Sequence, residues 1–177
     1  LGGGNTRERA LAIMKDSRIG AFGAIGLLVL LGLKWSALVA LPTAGFALIV
    51  VAAHVLSRWF SIGLIWALQY ARADGEGKSR PFDGGLSAGG WLLSGAIGMA
   101  AVAIPAIGSG TAASTSLASA AAAGFAAAAG CAVVAAAYLK QRIGGYTGDC
   151  LGAVQQLSEL TFLLGALAAL RPAIPLS

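Results

Sequence analysis

Long apolar runs, separated by a few short charged segments, constrain the fold of this chain more than any other feature. Over 177 residues, 58% are hydrophobic and only 11% are charged, whereas a soluble domain has about 25% charged residues. So few charges leave too little polar surface to cover a water-exposed globule, and the apolar runs match a bilayer core of roughly 30 Å. The sequence therefore predicts an all-α, polytopic transmembrane helical bundle.

The charged segments divide the chain into about five predicted spans. The first helix covers residues 7–41, with an amphipathic turn region up to Arg18 and a membrane part after Gly20, and Pro42 ends it. The other helices cover residues 43–71, 88–107, 115–139 and 149–171.

The whole chain, residues 1–177, is interpreted as a single integral-membrane helical domain with a charged cytoplasmic loop at residues 72–87. Its N-terminus is polar and lacks an initiating Met. We therefore expect the chain to be the C-terminal portion of a longer protein.

The basic residues indicate an orientation. If the N-terminus is cytoplasmic, five spans put most of the 12 Lys and Arg residues on the cytoplasmic side, as the positive-inside rule requires. Arg171 then lies at the external end, and Lys34 is expected near the external surface, where its side chain can snorkel. The net charge of +5 follows from this topology and needs no nucleic-acid partner. The chain is therefore predicted to be a multi-pass membrane protein.

Small residues are expected to form the helix contacts, because helices in lipid associate by close backbone approach. A seam at four-residue spacing is predicted in and before the third span, at Gly85 and Gly89 and at Gly90, Ser94 and Gly98.

The first polar cluster lies at residues 14–23. On a continuous helix, Lys15 and Arg18 share one side and suit phosphate oxygens, while Asp16 lies beside Gly20 and Gly23 on another. A carboxylate beside two glycines can be approached closely by a metal or a ligand. A snorkelling basic flank with an internal ion pair explains the same residues equally well.

The second cluster lies at residues 144–153, where a glycine-rich turn opens a helix and offers free backbone N–H groups to an anion. Asp149 begins a stripe that continues through Gly152, Gln156 and Glu159. Asp149 could be merely a capping or first-turn acid, and the stripe could fill a gap in the bundle. Glu159 lies within the apolar stretch, where an acid is costly and is a functional candidate.

The third cluster is a stripe on the second predicted helix, formed by His54, Arg58, Ser61, Gln69 and Arg72. Arg58 falls well inside the span, so we expect it to face the bundle interior, a carboxylate of another cluster or a ligand phosphate. His54 is the only histidine, which excludes a polyhistidine metal site. We expect it to be a packed or hydrogen-bonded neutral residue.

The motifs of zinc proteases, thiol redox proteins and serine hydrolases do not occur in this sequence, and residues 77–79 lack the full spacing of a P-loop. Carboxylates, basic residues and glycine turns remain. That set suits Mg²⁺-assisted phosphoryl or nucleotidyl transfer, in which positioning and charge neutralisation do most of the catalysis.

Two segments resemble the signature motifs of the cobalamin synthase family, the adenosylcobinamide-GDP ribazoletransferases. Residues 6–9 (TRER) with 13–23 (IMKDSRIGAFG) resemble the first signature, and residues 144–153 (GGYTGDCLGA) with Glu159 resemble the second. Shorter pieces between them fit in order and spacing, so that the resemblance covers nearly the whole chain. Family members have an acidic segment just upstream of the first signature, and this chain begins after it. The resemblance implies that the missing part contains metal-binding carboxylates, and that the chain alone is incomplete as a catalyst.

The resemblance implies a Mg²⁺-dependent transferase of cobalamin biosynthesis, located in the bacterial cell inner membrane as a multi-pass protein. Its reaction would join α-ribazole, or its 5′-phosphate, to adenosylcobinamide-GDP, giving adenosylcobalamin, or its 5′-phosphate, and GMP. Asp16 and Asp149 would bind the metal and, with Lys15 and Arg18, act in catalysis. The expected substrate-binding residues are Ser17, Arg58, Arg72, Gly145, Thr147, Gly148 and Glu159, with Glu159 a candidate for orienting Arg58.

Two other functions are compatible with the residues. A membrane transporter of an organic anion would also place Arg58 and Glu159 inside the bundle, although the polar clusters gather on one face. A structural subunit of a cobalt-metabolism membrane complex would use the motifs only for packing. A homo-oligomer, or a complex with other cobalamin-assembly enzymes, is compatible with each of these functions.

Overall fold

The computed structural model describes residues 6–16, 18–71, 87–108 and 113–170, and for residues 101–108, 113 and 114 it describes only the backbone. Every regular element in this part of the chain is an α-helix. The helices are α1 (Arg7–Lys15), α2 (Ala21–Ala40), α3 (Phe46–Ala67), α4 (Ala88–Gly108), α5 (Ala113–Ile143) and α6 (Gly148–Leu170). The loop predicted at residues 72–87 lies, apart from Ser87, outside the described residues.

Four helices are long and apolar enough to cross a membrane, namely α2, α3, α6 and Thr115–Ile143 of α5. Within α4, the shorter apolar stretch Ala88–Ala100 belongs to a helix of 21 residues, which is the length of a span. The prediction of an all-α polytopic bundle with about five spans is confirmed.

The first predicted helix is divided into two. Thr6 caps α1 by accepting a hydrogen bond from the backbone N–H of Arg9 at 3.3 Å, and α1 ends at Lys15 because Asp16 has extended backbone angles. Gly20 is also extended, directly before α2. At the other end of α2, Leu41 is extended, since the residue before a proline avoids the helical conformation.

Helix α6 lies at the centre of the bundle and packs against α5, α3 and α2. Phe162 and Leu163 of α6 are almost completely buried. Helix α2 has a much smaller packed surface, because Ala37 is its only buried residue. It packs chiefly on α6. The position of α2 therefore depends on few contacts.

Two glycines allow α5 and α6 to approach closely. A Cβ on Gly124 would lie 2.8 Å from the carbonyl oxygen of Phe162, and one on Gly165 would lie 2.8 Å from that of Ala123. Neither helix could keep this separation with a larger residue. The expectation that small residues form helix contacts holds here.

The contact between α3 and α4 is built on two tryptophans. Trp59 and Trp91 stack with ring centroids 4.5 Å apart and planes at 5°. Each indole N–H donates to the other residue's backbone carbonyl, Trp59 to Trp91 at 2.9 Å and Trp91 to Trp59 at 3.1 Å. These paired bonds decide which face of α4 turns toward α3.

The predicted seam on α4 is therefore wrong in register at every described position except Gly98, which does contact α3. Gly90 and Ser94 are exposed, and a Cβ on Gly89 would meet open space, while Gly85 lies outside the described residues. The contact uses Gly95, packed on Trp59, and Gly98, packed on Val55.

Candidate functional site

The turn between α1 and α2 contains the first cluster. Asp16 and Arg18 form an exposed ion pair at 2.8 Å, in which the guanidinium donates to both carboxylate oxygens. Hydrogen bonds from the side chain and the backbone of Arg18 hold the pKa of Asp16 below its usual value. Ser17 lies outside the described residues.

The predicted helical faces in this segment are wrong. Because α1 ends at Lys15 and α2 begins at Ala21, Asp16 and Gly20 lie in a turn and share no helical face. The internal ion pair, which was the alternative explanation of the segment, is present. Its carboxylate is exposed and lies just outside the membrane-spanning part of α2.

The second cluster is an ordered turn between α5 and α6. The N–H of Tyr146 donates to the carbonyl of Gln69 at 2.9 Å, and the N–H of Ala71 donates to the carbonyl of Tyr146 at 2.8 Å. Gly144 has a φ of 74°, which favours glycine. At Gly145 a Cβ would overlap the carbonyl oxygen of Gln69. The turn is thus fixed against the end of α3.

Helix α6 begins with a side-chain cap from Thr147, whose hydroxyl accepts from the backbone N–H of Cys150 at 3.4 Å. It also lies 3.2 Å from Sγ of the same residue. Asp149 is therefore the acid of the first turn and not the cap, and its side chain is exposed. Gly148 is exposed as well, with open space where a Cβ would stand.

Arg7 connects α1, which precedes the first cluster, to the end of α5, which precedes the second. Its Nε donates to the carbonyl of Ile143 at 2.9 Å, across 136 residues of chain. Ile143 is the last residue of α5, so the cation also suits the negative end of that helix dipole. Both segments that resemble the family signatures therefore meet at one end of the bundle.

The polar stripe of α6 runs from Asp149 at this end to Glu159 at the middle of the helix. Glu159 is buried, and its partner is Lys34 of α2, with Nζ 3.0 Å from Oε1 and the two side chains 13% and 9% exposed. Lys34 also donates to Oε1 of Gln156 at 2.7 Å. The expectation that Lys34 snorkels at the external surface is wrong, because its ammonium is held between helices.

Arg58 is exposed on α3 and donates to the carbonyl of His54, one turn earlier, at 3.1 Å. The expectation that it faces the bundle interior or a carboxylate of another cluster is therefore wrong among the described residues, and a ligand phosphate stays a prediction. Within the described residues it has no ion pair with Glu159, so the structure does not support Glu159 as the residue that orients Arg58. His54 has Nδ1 3.1 Å from the carbonyl of Val50 and 3.6 Å from Oε1 of Glu159. It thus lies close to the Lys34–Glu159 pair, while its hydrogen-bond contact is within its own helix. Arg72 lies outside the described residues.

The described residues contain no group of three or more His, Cys, Asp or Glu side chains that could hold a metal ion. Mg²⁺, however, is usually bound through one or two carboxylates with waters and substrate phosphates. Asp149 fits that role because it is exposed. Asp16 fits only if its carboxylate is released from Arg18.

Sequence reasoning identified the α6 stripe but missed Lys34 as a member and Arg7 as the connection. Lys34 could have been found from its depth, because a lysine inside one span and an acid inside another are each too costly to be left unpaired. For Arg7 the signal was weaker, since basic residues before a span are common.

The family model for cobalamin-5-phosphate synthase matches residues 1–167 of this chain. A protein of Leptothrix cholodnii, named adenosylcobinamide-GDP ribazoletransferase, is 43% identical over 95% of this chain and 62% of its own length. Proteins with the same name from Polaromonas naphthalenivorans and Vibrio parahaemolyticus are 36% and 39% identical, over 96% and 95% of this chain.

The chain spans about three-fifths of the length of these relatives, covering 60–64% of the three. No solved structure matches it. The family match includes both polar turns and the α6 stripe as far as residue 167, so that the resemblance seen in the two motifs extends over the spans between them. The chain is a polytopic membrane protein that belongs to the cobalamin-5-phosphate synthase family.

Proposed function

We propose that the protein transfers a phosphoryl group in the assembly of the cobalamin nucleotide loop. The substrates are adenosylcobinamide-GDP and α-ribazole or its 5′-phosphate, and the products are adenosylcobalamin or its 5′-phosphate and GMP. Family membership over residues 1–167 and the shared name of the relatives support this activity. A transporter function is favoured by no observation among the described residues.

The observation on which the proposal rests is the hydrogen bond between Arg7 and the carbonyl of Ile143. It brings the α1–α2 turn, with its exposed carboxylate and cations, to the same end of the bundle as the glycine-rich turn. Phosphoryl transfer depends on positioned charges on both sides of the reacting phosphorus. Two such turns, from opposite ends of the sequence, suit a substrate with two linked phosphates.

In the proposed reaction a ribose hydroxyl of α-ribazole attacks the cobinamide-side phosphorus, and the bond to the bridging oxygen breaks as GMP leaves. Lys15, Arg18, Arg58 and Arg72 hold the diphosphate, because guanidinium and ammonium groups match phosphate oxygens. The N–H groups of Gly145 and Gly148 bind an anionic group at the start of α6, where the helix dipole favours negative charge. Glu159 acts further inside the membrane, through Lys34, and does not orient Arg58.

We propose Mg²⁺ as the cofactor, bound through Asp149 and, after release from Arg18, Asp16. When bound, the ion would neutralise charge that develops on the phosphate oxygens. Asp16 would then hold the metal and Arg18 a substrate phosphate, so that the two members of the ion pair would serve opposite charges of the bound substrate complex.

The location in the bacterial inner membrane, with a cytoplasmic N-terminus, is part of the same proposal. Lys15 and Arg18 precede α2, and Lys140 and Arg142 end α5, so the described ends of these spans agree with the positive-inside rule. Oligomers and complexes with other enzymes stay predictions.

The test is GMP release from adenosylcobinamide-GDP and α-ribazole, with Mg²⁺ or with EDTA, in proteoliposomes that hold the chain joined to the upstream segment expected from the family resemblance. We expect metal-dependent release that Asp149→Ala lowers on the order of 10²-fold or more, as for the loss of one electrostatic catalytic group. Lys140→Ala, an exposed change at the end of α5, is the control. Lys34 is unsuitable as a control because it is paired with Glu159. Uptake of an organic anion without any GMP release would contradict the proposal.

A further inference from the structure

The contact between Lys34 and Glu159 is the main polar connection between α2 and the rest of the bundle. The pair lies inside two spans, and Gln156 accepts a second hydrogen bond from the same ammonium. Unpaired charges at such depth are costly. Removing one member of a buried pair is far more harmful than exchanging both for neutral residues. The pair therefore constrains how α2 lies on α6.

Apolar packing contributes little to this constraint. Within α2 only Ala37 is buried, and large side chains such as Phe22, Leu28 and Trp35 are exposed. Apolar contacts of this kind are not directional, so they would allow α2 to slide or rotate on α6. A charged hydrogen bond with defined geometry prevents this sliding and rotation of α2.

The position of α2 matters because the helix begins directly after the turn that holds Asp16 and Arg18. Lys34 lies about 20 Å along α2 from Ala21, at 1.5 Å per residue. On the other side of the turn, α1 is attached to the end of α5 through Arg7. The helices on both sides of the turn are therefore attached to the bundle. Arg7 attaches α1 to α5, and Lys34 attaches α2 to α6.

We propose that Lys34 is a positioning residue, which holds α2 on α6 through Glu159 and Gln156 and thereby fixes the turn of Asp16 and Arg18 relative to Asp149. The part that concerns catalysis depends on the function proposed above. The geometric part, that the pair sets the position of α2, does not.

The experiment measures position and activity separately in proteoliposomes that hold the chain joined to the expected upstream segment. Nitroxide labels at Phe22 and Gln141, which are both exposed, report the distance between the start of α2 and the end of α5 by pulsed electron resonance. The two native cysteines are replaced by Ser for labelling. GMP release is measured on unlabelled Lys34→Met, Lys34→Arg and the exchanged pair Lys34→Glu with Glu159→Lys. Lys140→Met is the matched control.

We expect Lys34→Met to broaden the distance distribution and to lower kcat on the order of 10²-fold, the size of effect that a misplacement of about 1 Å can have. Lys34→Arg and the exchanged pair should restore the distance, and Lys140→Met should change neither quantity. If Lys34→Met does not fold, Lys34→Met with Glu159→Gln leaves no buried unpaired charge and replaces it.

Wild-type distances in the neutral variants would overturn the proposal, whatever the value of kcat. Broadened distances in Lys34→Met, alongside a wild-type protein that releases no GMP, would support the geometric role and refute the proposed function. The two failures are therefore distinguishable.

Discussion

Arg7 and Ile143 are joined by a hydrogen bond from the guanidinium Nε to the backbone carbonyl, so that the first described helix is attached to the last residue of α5. We expect Arg7→Met to reduce the free energy of unfolding by about 1.5–3 kcal/mol, the contribution of a hydrogen bond to a charged group. Arg9→Met, an exposed change in the same helix, should stay within about 0.5 kcal/mol. Unfolding in bicelles measures both, and equal effects would contradict the role of Arg7.

Gly145 is the position at which the second cluster tolerates no side chain. We expect Gly145→Ala to destabilise the fold by about 1–3 kcal/mol, as for overpacking, because the Cβ would overlap the carbonyl oxygen of Gln69. The control is Gly152→Ala, which meets open space and should gain about 1 kcal/mol from helix propensity. Denaturant titration compares the two variants, and a neutral Gly145→Ala would show that the turn can move away from α3.

The contact between α5 and α6 gives a second matched pair of glycines. Gly124→Ala should cost about 1–3 kcal/mol, since its Cβ would lie 2.8 Å from the carbonyl oxygen of Phe162. Gly130 lies in the same helix with nothing near its Cβ position, so Gly130→Ala should be neutral or slightly stabilising. Thermal unfolding in detergent measures the difference, and similar values for both would argue against close approach at Gly124.

The Asp16–Arg18 pair predicts a pH dependence. The pKa of Asp16 is lowered by the hydrogen bonds of Arg18, so the folded state binds this proton less readily than the unfolded state. The stabilisation is present above the usual pKa of an aspartate and is lost as the pH falls through the lowered value.

Carbon NMR of the Asp16 carboxyl in nanodiscs measures this pKa. Arg18→Gln should return it toward the model-compound value of 3.8, whereas Lys140→Gln should not change it. An unchanged pKa in Arg18→Gln would show that the pair does not form in solution.

Arg58 predicts an effect on substrate binding. Its guanidinium is exposed and donates one hydrogen bond to a carbonyl of its own helix, which leaves other N–H groups for a phosphate. Charged hydrogen bonds contribute about 1.5–3 kcal/mol, so Arg58→Met should raise KM for adenosylcobinamide-GDP about 10–100-fold. Arg58→Lys should recover only part of the loss, because a lysine lacks the planar fork. An unchanged KM in a folded Arg58→Met variant would remove Arg58 from the site.

The spans were predictable from sequence because entry into the bilayer depends on the length and hydrophobicity of each apolar run, which are local properties of the sequence. Pro42 likewise fixed the end of α2 locally. The two turns were found as polar clusters for the same reason. Asp149 lies in the first turn of α6, as expected if it is a first-turn acid and not the cap.

The side chains that meet between helices could not be predicted, because these contacts depend on which face of one helix turns toward another. The paired tryptophans turned α4 so that Gly95, and not Gly90 or Ser94, meets α3. Lys34 was assigned to the external membrane surface because the sequence of its own helix does not indicate that Glu159 of another helix lies beside it. The extended backbone at Asp16 and Gly20 was missed because the residues around it are compatible with a helix.

The sequence separation of Lys34 from its acceptors has a consequence for biogenesis. Lys34 is made 122 residues before Gln156, and α2 packs chiefly on α6, the last described helix. During synthesis, α2 therefore enters the membrane with an ammonium group whose acceptors are still being translated. We expect α2 to stay beside the insertion machinery, or in water at the membrane surface, until α6 arrives. Assembly of the described bundle is thus completed only when α6 arrives, and a nascent chain that stalls before α6 leaves α2 without its polar partners.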